Sequence, residues 1–422
     1  MYDDSKSYKR IMNINKDIVS EIAKQYGDAF YILDTEQFTK NFKELLEEFR
    51  NYYPETYIAY SYKTNYTPRL CKIVDDLGGY AEVVSHMEME IARRLGIDYK
   101  KIAFNGPYKD KNAVCDMLLN DGHVNLDSMY DFEIAKELAD QHPEKRIGVG
   151  VRCNFDVGDG VLSRFGFDVD GEDFKIVMNE IQQHSNMYLR GLHCHFANRS
   201  LEYWGERARG MVEIVKQYLN DDFEYFCLGG GLFGKMADSL KVQFATPIPT
   251  YKEYADTVAK TVADGLAEYP VEKRPKLFIE PGSALVGDAM KFVSKVESIK
   301  NVRGKDIATL LGSIYNINPT LNTKNPPIQV IHMADDQQEY ENLDFAGFTC
   351  IESDYLYKGY NGQLHIGDYV VFGNVGSYSV VLKPPFILPN FPVVELEDDN
   401  IKLIKRGEVF DDIFHTFIFE RD

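Results

Sequence analysis

Tyr57-Ile58-Ala59-Tyr60-Ser61-Tyr62-Lys63-Thr64-Asn65 is the stretch on which the reading of this chain turns. The run from Tyr57 to Tyr62 is aromatic and β-prone, the composition of a buried strand. Lys63 closes it, so one ammonium stands at the mouth of an otherwise apolar element. Such a lysine is either a solvated strand end or an amine kept for imine chemistry. Burial lowers an ammonium pKa, and the neutral amine is the nucleophile that forms a Schiff base.

The same texture repeats along the chain. Apolar runs predict strands at Tyr57–Tyr62, Tyr80–Val84, Lys101–Phe104, His123–Leu126, Ile147–Val151, Leu189–Cys194, Glu224–Leu228 and Leu277–Ile279. Between them, helical periodicity falls at Met87–Leu95, Lys111–Leu119, Tyr130–Leu138, Phe174–Gln183, Tyr203–Tyr218 and Tyr251–Glu268. Eight strands over roughly 230 residues predict a (β/α)8 TIM-like barrel, typically about 250 residues long. An open doubly wound sheet is the competing arrangement.

After Gly282 the pattern becomes strand-like, at Met290–Ile299, Ile328–His332, Tyr369–Phe372 and Tyr378–Leu382, with turns at Asn361-Gly362 and Gly373-Asn374. The expected architecture is therefore α/β, with a barrel over residues 35–285. A mostly β domain would combine residues 1–34, including Phe30-Tyr31-Ile32-Leu33, with residues 286–422.

A chain of 422 residues suits two domains. Its net charge of −19 argues against nucleic acid or an anionic membrane as partner, because phosphates would be repelled. The six cysteines are scattered without a CxxC pair, which suits free thiols in a reducing cytoplasm better than disulfides or structural zinc. No apolar run approaches membrane-spanning length, so the expected location is cytoplasmic.

Barrel active sites gather at the C-terminal ends of the strands. Those ends carry Lys63, Glu82, Ser85, Asn105, Asp127, Ser128, Arg152, Asn154, His193, His195, Gly229-Gly230-Gly231 and Glu280. The triple glycine is a tight corner or a turn whose N–H groups close on an anion, and its place after strand seven favours phosphate. His193 and His195 share one face of a strand. No carboxylate or thiol stands at ligand spacing beside them, so no metal is expected, and one ring stacked on a flat cofactor fits better. Glu280 reads as a solvated acid, a general base or the partner of a protonated ring nitrogen.

Taken together, these residues resemble the fold-type III pyridoxal-phosphate decarboxylases, the alanine racemase-like group that holds diaminopimelate, ornithine and carboxynorspermidine decarboxylases. The resemblance runs from about Phe30 to Val394. It rests on Tyr60–Asn65, Glu82-Val83-Val84-Ser85, Gly191-Leu192-His193-Cys194-His195, Leu228–Gly231, Glu280-Pro281-Gly282, Cys350-Ile351-Glu352-Ser353-Asp354 and Gly376-Ser377-Tyr378. The stretch from Gly191 to His195 is similar to the diaminopimelate branch in particular.

The resemblance implies a small amino acid as substrate and pyridoxal 5'-phosphate carried on Lys63. It implies that His195 stacks on the pyridine ring and that Glu280 keeps the ring nitrogen protonated, while Gly229, Gly230, Gly231 and Tyr378 bind the cofactor. Cys350 would come from the other subunit of a homodimer with active sites at the interface, and would protonate the carbanion left by loss of CO2. Racemases of this fold usually place an arginine at the ring nitrogen, so the carboxylate of Glu280 favours decarboxylation. A racemase, or a non-catalytic homologue that binds a partner, is the alternative.

Departures from the family pattern cluster at the substrate. Ser283 stands where Glu-Pro-Gly-Arg is usual, and Tyr315–Leu321, with Asn316 and Asn318, lacks an arginine usual in the diaminopimelate branch. Asn and Ser cannot replace a bidentate guanidinium at equal strength. Ile351 stands where a glutamate usually follows the cysteine, with Glu352 one place later and Asp354 in step. Phe196-Ala197-Asn198-Arg199-Ser200 replaces a small Gly-Ser segment, and Arg199 is the candidate for the missing charge. The expected substrate contacts are Arg199, Ser283, Asn318, Glu352 and Asp354, in a pocket not built for meso-diaminopimelate.

Overall fold

A computed structural model describes residues 14–397 and 400–419. The described residues divide into two units, one of residues 38–235 and 244–286, the other of residues 14–37, 236–243, 287–397 and 400–419.

The first unit is built on eight parallel strands: Thr56–Ser61, Tyr80–Val83, Ile102–Phe104, His123–Leu126, Ile147–Asn154, Met187–His193, Tyr225–Cys227 and Lys276–Ile279. The last pairs with the first in the register Leu277↔Thr56 and Ile279↔Ile58, which closes the barrel and rules out the open sheet. Its interior is filled rather than hollow. Phe278 packs against Tyr80 and Tyr225 at ring separations of 4.7 and 5.6 Å, and His123 meets Tyr225 at 4.9 Å. Burial holds the His123 imidazole near a pKa of about 3, so this plug is uncharged.

The outer helices follow from apolar spacing. Leu201–Tyr218 buries Trp204, Ala208, Met211 and Val215, one face of a 3.6-residue period. The helices Thr35–Arg50 and Pro68–Asp76 were not among those marked in the sequence, nor was Lys16–Tyr26 in the other unit. The first buries Phe38, Phe42, Leu45 and Phe49, a clear amphipathic stripe that lies ahead of the strand pattern. The second is only nine residues long, with proline in its first turn. Residues Tyr62–Thr64 are not strand but a single 3-10 turn, so Lys63 sits one step beyond the first barrel strand.

The second unit is organised by a nine-stranded sheet. Ala29–Leu33 pairs antiparallel with Met290–Val302 (Phe30↔Val293) and parallel with Val393–Glu397 (Ile32↔Val394), so the N-terminal strand belongs to this sheet. Tyr378–Leu382 is not a strand: Tyr378 has φ 65°, and the Leu382 N–H donates to the Tyr378 carbonyl at 2.9 Å, closing a turn. Asn361-Gly362 is not a turn either. It lies within the strand Tyr355–Leu364, where register shifts against Gln338–Ala346 absorb the irregularity. Residues 236–243 join this unit, Gln243 exchanging hydrogen bonds of 2.9 and 2.8 Å with Asn325. Among the described residues no helix is long and apolar enough to cross a membrane.

Candidate active site

The C-terminal rim of the barrel carries one continuous polar chain. Lys63 donates from Nζ to Glu82 Oε2 and to Ser61 Oγ, the latter at 3.4 Å. Asn105 follows the third strand and bridges two carboxylates, its Nδ2 lying 3.1 Å from Glu82 Oε1 and 2.7 Å from Glu280 Oε1. The other oxygen of Glu280 accepts from His193 Nε2 at 3.2 Å. Asn105 is itself fixed from below: Asn125 donates to its Oδ1 at 2.8 Å, and the Tyr225 hydroxyl donates to Asn125 Oδ1 at 2.8 Å. Glu280, His193, Asn105 and Glu82 are all buried. Burial pushes the Glu280 carboxyl up, but His193 and then Lys63 outweigh it and hold the group well below the usual carboxylate range. Glu280 is therefore an ionised acid in a dry setting, where its charge acts at full strength.

His195 lies one step past the sixth strand and is only partly buried. The Gly230 N–H donates to its Nδ1 at 2.9 Å, which leaves the ring proton on Nε2. Burial, with the cations of Arg207, Lys63 and Arg152, pushes the imidazole well below its ordinary range, so the ring is neutral. A neutral aromatic ring on a rigid rim is suited to stacking on another flat ring.

The glycine run after the seventh strand could not carry side chains. A Cβ on Gly230 would lie 2.2 Å from the Glu280 carbonyl, and one on Gly229 would lie 2.5 Å from the Cys194 carbonyl. Gly231 has φ +93°, a conformation L side chains rarely adopt, and a Cβ there would lie 3.7 Å from the Phe196 carbonyl, an ordinary contact. The turn is therefore pressed against the strand ends on either side of it, with Gly229 and Gly230 buried and Gly231 partly exposed.

Ionised groups brace the neighbouring loops. Lys109, fully buried, donates to Asp131 at 2.7 Å and to the Gly106 carbonyl at 2.8 Å. Arg152 donates to Asp127 at 3.0 Å. Glu88 accepts from the Val84 N–H at 2.7 Å, and burial raises its carboxyl to about 7.

Ser283 opens a four-residue helix after Glu280-Pro281-Gly282. Arg199 lies in the loop before helix Leu201–Tyr218, its guanidinium 5.3 Å from the Phe233 ring and its carbonyl accepting from the Tyr254 hydroxyl at 2.6 Å. The remaining sequence-selected residues belong to the other unit. Cys350 and Glu352 are exposed on one loop. Asp354 ends that loop and is buried, accepting from Ile314 N–H at 2.7 Å, from Ser313 Oγ at 3.1 Å and from Thr349 Oγ1 at 2.6 Å. Its oxygens are spent on anchoring the Cys350 loop. Asn318 is tied within its own loop, donating to the Asn322 carbonyl at 2.9 Å. Tyr378 sits in the turn described above.

Several contributors escaped the sequence reading. Cys227 joins His193 and Glu280 in a buried trio whose ligand atoms lie within 4.8 Å of one another. Burial and the Glu280 charge push the Cys227 thiol up. Asn125 and Tyr225 act from inside the barrel, where nothing in the sequence marks them. Arg207 could have been found, because it falls on the apolar stripe of its helix, where a charge is out of place.

These features fit pyridoxal phosphate. An amine, an ionised buried carboxylate, a neutral imidazole and a glycine cradle stand on one rim, each as that cofactor needs. The comparisons agree. Residues 39–287, more than half of the chain, match the family described as pyridoxal-dependent decarboxylase, pyridoxal binding domain. The diaminopimelate decarboxylase of Aquifex aeolicus is 23% identical over 411 residues, covering 93% of this chain and 92% of that protein. The one from Methanocaldococcus jannaschii is 26% identical over 431 residues, with 93% and 92% covered. The crystal structure of diaminopimelate decarboxylase from M. jannaschii superposes with a TM-score of 0.82 at 23% identity, covering 95% of this chain and 94% of that one. A lysine/ornithine decarboxylase from Vibrio vulnificus gives 0.72 at 17% identity, with 90% and 98% covered, a likeness of fold. The barrel that matches the family model is the one that carries Lys63, His195, the glycine turn and Glu280, and this chain belongs to the pyridoxal-dependent decarboxylases.

Proposed function

We propose that this protein decarboxylates a small amino acid other than meso-diaminopimelate, with the cofactor carried on Lys63. The observation that carries the reading is the contact chain from Lys63 through Glu82 and Asn105 to an ionised Glu280. When bound, pyridoxal phosphate supplies the electron sink that takes up the pair left as CO2 departs. Lys63 holds the cofactor by its amine. Glu280 keeps a proton on the ring nitrogen, and His193 and Asn105 keep Glu280 aimed and charged. His195 covers one face of the ring and keeps water from it. Gly229, Gly230, Gly231 and Tyr378 help bind the cofactor.

The protein works in the cytoplasm as a homodimer, and Cys350 of the partner subunit returns a proton to Cα. Asp354 anchors the loop that presents Cys350 and Glu352. At the distal end of the substrate stand Arg199, Ser283 and Asn318, without the two arginines that the diaminopimelate branch places there. A second carboxylate would be desolvated without a clamp, which is costly. Steady-state CO2 release from meso-diaminopimelate, ornithine, lysine, arginine and carboxynorspermidine tests this. The expected result is a substrate whose distal end lacks the diaminopimelate carboxylate. If diaminopimelate had the highest kcat/KM and Arg199→Ala abolished it, the pocket argument would fail.

A further inference from the structure

Arg207 is fully buried on the inner face of helix Leu201–Tyr218. Its Nη1 donates to the carbonyls of Leu228 and Gly230 at 3.1 and 2.9 Å, and its Nη2 to those of Phe196 and Asn198 at 2.7 and 3.3 Å. The guanidinium stacks on Trp204 at 3.9 Å, and its Nε has no acceptor among the described residues. No carboxylate pairs with it among the described residues. Burial pulls its pKa only to about 10, so it stays charged. A buried charge without a counter-ion is expensive, and a fold that keeps one has a use for the field it makes.

The use follows from peptide geometry. In a trans peptide the C=O of one residue and the N–H of the next point in opposite directions. There are no cis peptides here. The carbonyls of Gly230, Phe196 and Asn198 point at Arg207, so the N–H groups of Gly231, Ala197 and Arg199 point away from it. None of these three donates to an acceptor among the described residues. They lie on the loops after the sixth and seventh barrel strands, where the partly buried His195 also sits. Each peptide dipole is aligned so that the cation behind it strengthens the attraction of its N–H for an anion in front.

We propose that Arg207 is a positioning residue for phosphate recognition: from behind the two loops it orients and polarises the peptides whose Ala197, Arg199 and Gly231 N–H groups receive the phosphate ester of the cofactor. It would do so without touching the phosphate, and would take over charge that Ser283 cannot supply. The inference rests on the reading of the rim as a pyridoxal phosphate site.

The test compares pyridoxal phosphate with pyridoxal, which lacks the phosphate, by absorbance titration of the cofactor-free full-length protein. Arg207→Gln should weaken pyridoxal phosphate by about tenfold to a hundredfold, the scale of a hydrogen-bonded charge, and leave pyridoxal nearly unchanged. Arg207→Lys, which keeps the charge, should restore most of the ratio between the two affinities. If both ligands weaken in parallel, or neither does, Arg207 only supports the fold and the proposal is wrong. Should Arg207→Gln fail to fold, the Lys variant decides: a ratio near that of the unaltered protein supports the role of charge, and a collapsed ratio overturns it. Unaltered protein that bound neither ligand would instead defeat the cofactor-site reading itself, and this inference with it.

Discussion

Replacing Glu280 by Gln removes one charge and almost no volume. The structure says what the new amide would meet. Its oxygen could still accept from Asn105 Nδ2, now 2.7 Å from Oε1. Its NH2 could donate to His193 Nε2 once the imidazole proton moves to Nδ1, an atom that has no partner among the described residues. The local network can therefore re-form and the barrel should stay folded. What cannot be replaced is the negative charge that, in the proposed function, would face the ring nitrogen. Two unit charges about 4 Å apart at an effective dielectric of about 20 interact by about 4 kcal/mol. His193 already shares the carboxylate at 3.2 Å, so part of that energy is committed. A loss of about 10²–10³ in kcat is expected, the usual cost of removing one preorganised electrostatic contact. Cofactor affinity, read by absorbance titration, should move by no more than a few-fold. Turnover near the unaltered level, with cofactor bound, would mean that another group protonates the ring and that the role given to Glu280 is wrong.

Three further outcomes are expected. Gly230→Ala should weaken cofactor binding far more than Gly231→Ala, because its Cβ would meet the Glu280 carbonyl at 2.2 Å whereas a Cβ on Gly231 would make only ordinary contact, 3.7 Å from the Phe196 carbonyl, and suffer backbone strain; absorbance titration of both variants compares them. Glu88, with its carboxyl raised to about 7 by burial, binds its proton more tightly when folded. Its contribution to stability is complete below about pH 4.5 and is lost as pH rises through about 7, a change of roughly 3 kcal/mol. Thermal denaturation should thus show Glu88→Gln gaining on the unaltered protein between pH 5 and pH 8, and a gap that does not vary with pH would refute the assignment. Mixing Lys63→Ala with Cys350→Ala protomers should restore about a quarter of the activity, because random pairing makes half the dimers mixed, each with one of two sites whole. No recovery after demonstrated subunit exchange would remove Cys350 from a shared site.

The barrel was legible because each strand is a short apolar run ending in a polar residue, and Lys63, Glu82, His195 and Glu280 are those ends. The terminal strand Ala29–Leu33 was readable for the same reason. Tyr378–Leu382 misled because Tyr, Val and Leu suit strands, while the positive φ of Tyr378 is a tertiary demand invisible to propensity. Asn361-Gly362 misled in the opposite way, since a turn dipeptide was carried inside a long strand by pairing on its neighbour. Asn105 appeared only as a strand end. Its bridging of two carboxylates depends on a third dimension that spacing does not hold. Asp354 was marked as a substrate contact, yet its burial and four donors were set by Ser313, Ile314 and Thr349, roughly forty and five residues away along the chain. Arg207 lay in plain view on an apolar stripe, but its partners are backbone carbonyls, which no sequence pattern displays.

The central claim is that Lys63 carries the cofactor beside an ionised Glu280. Borohydride reduction of the protein loaded with pyridoxal phosphate, followed by peptide mapping, tests it most directly. The account predicts a pyridoxyl group on the peptide containing Lys63 and none on it in Lys63→Ala. Label on a different lysine, or a protein that takes up no cofactor at all, would contradict it.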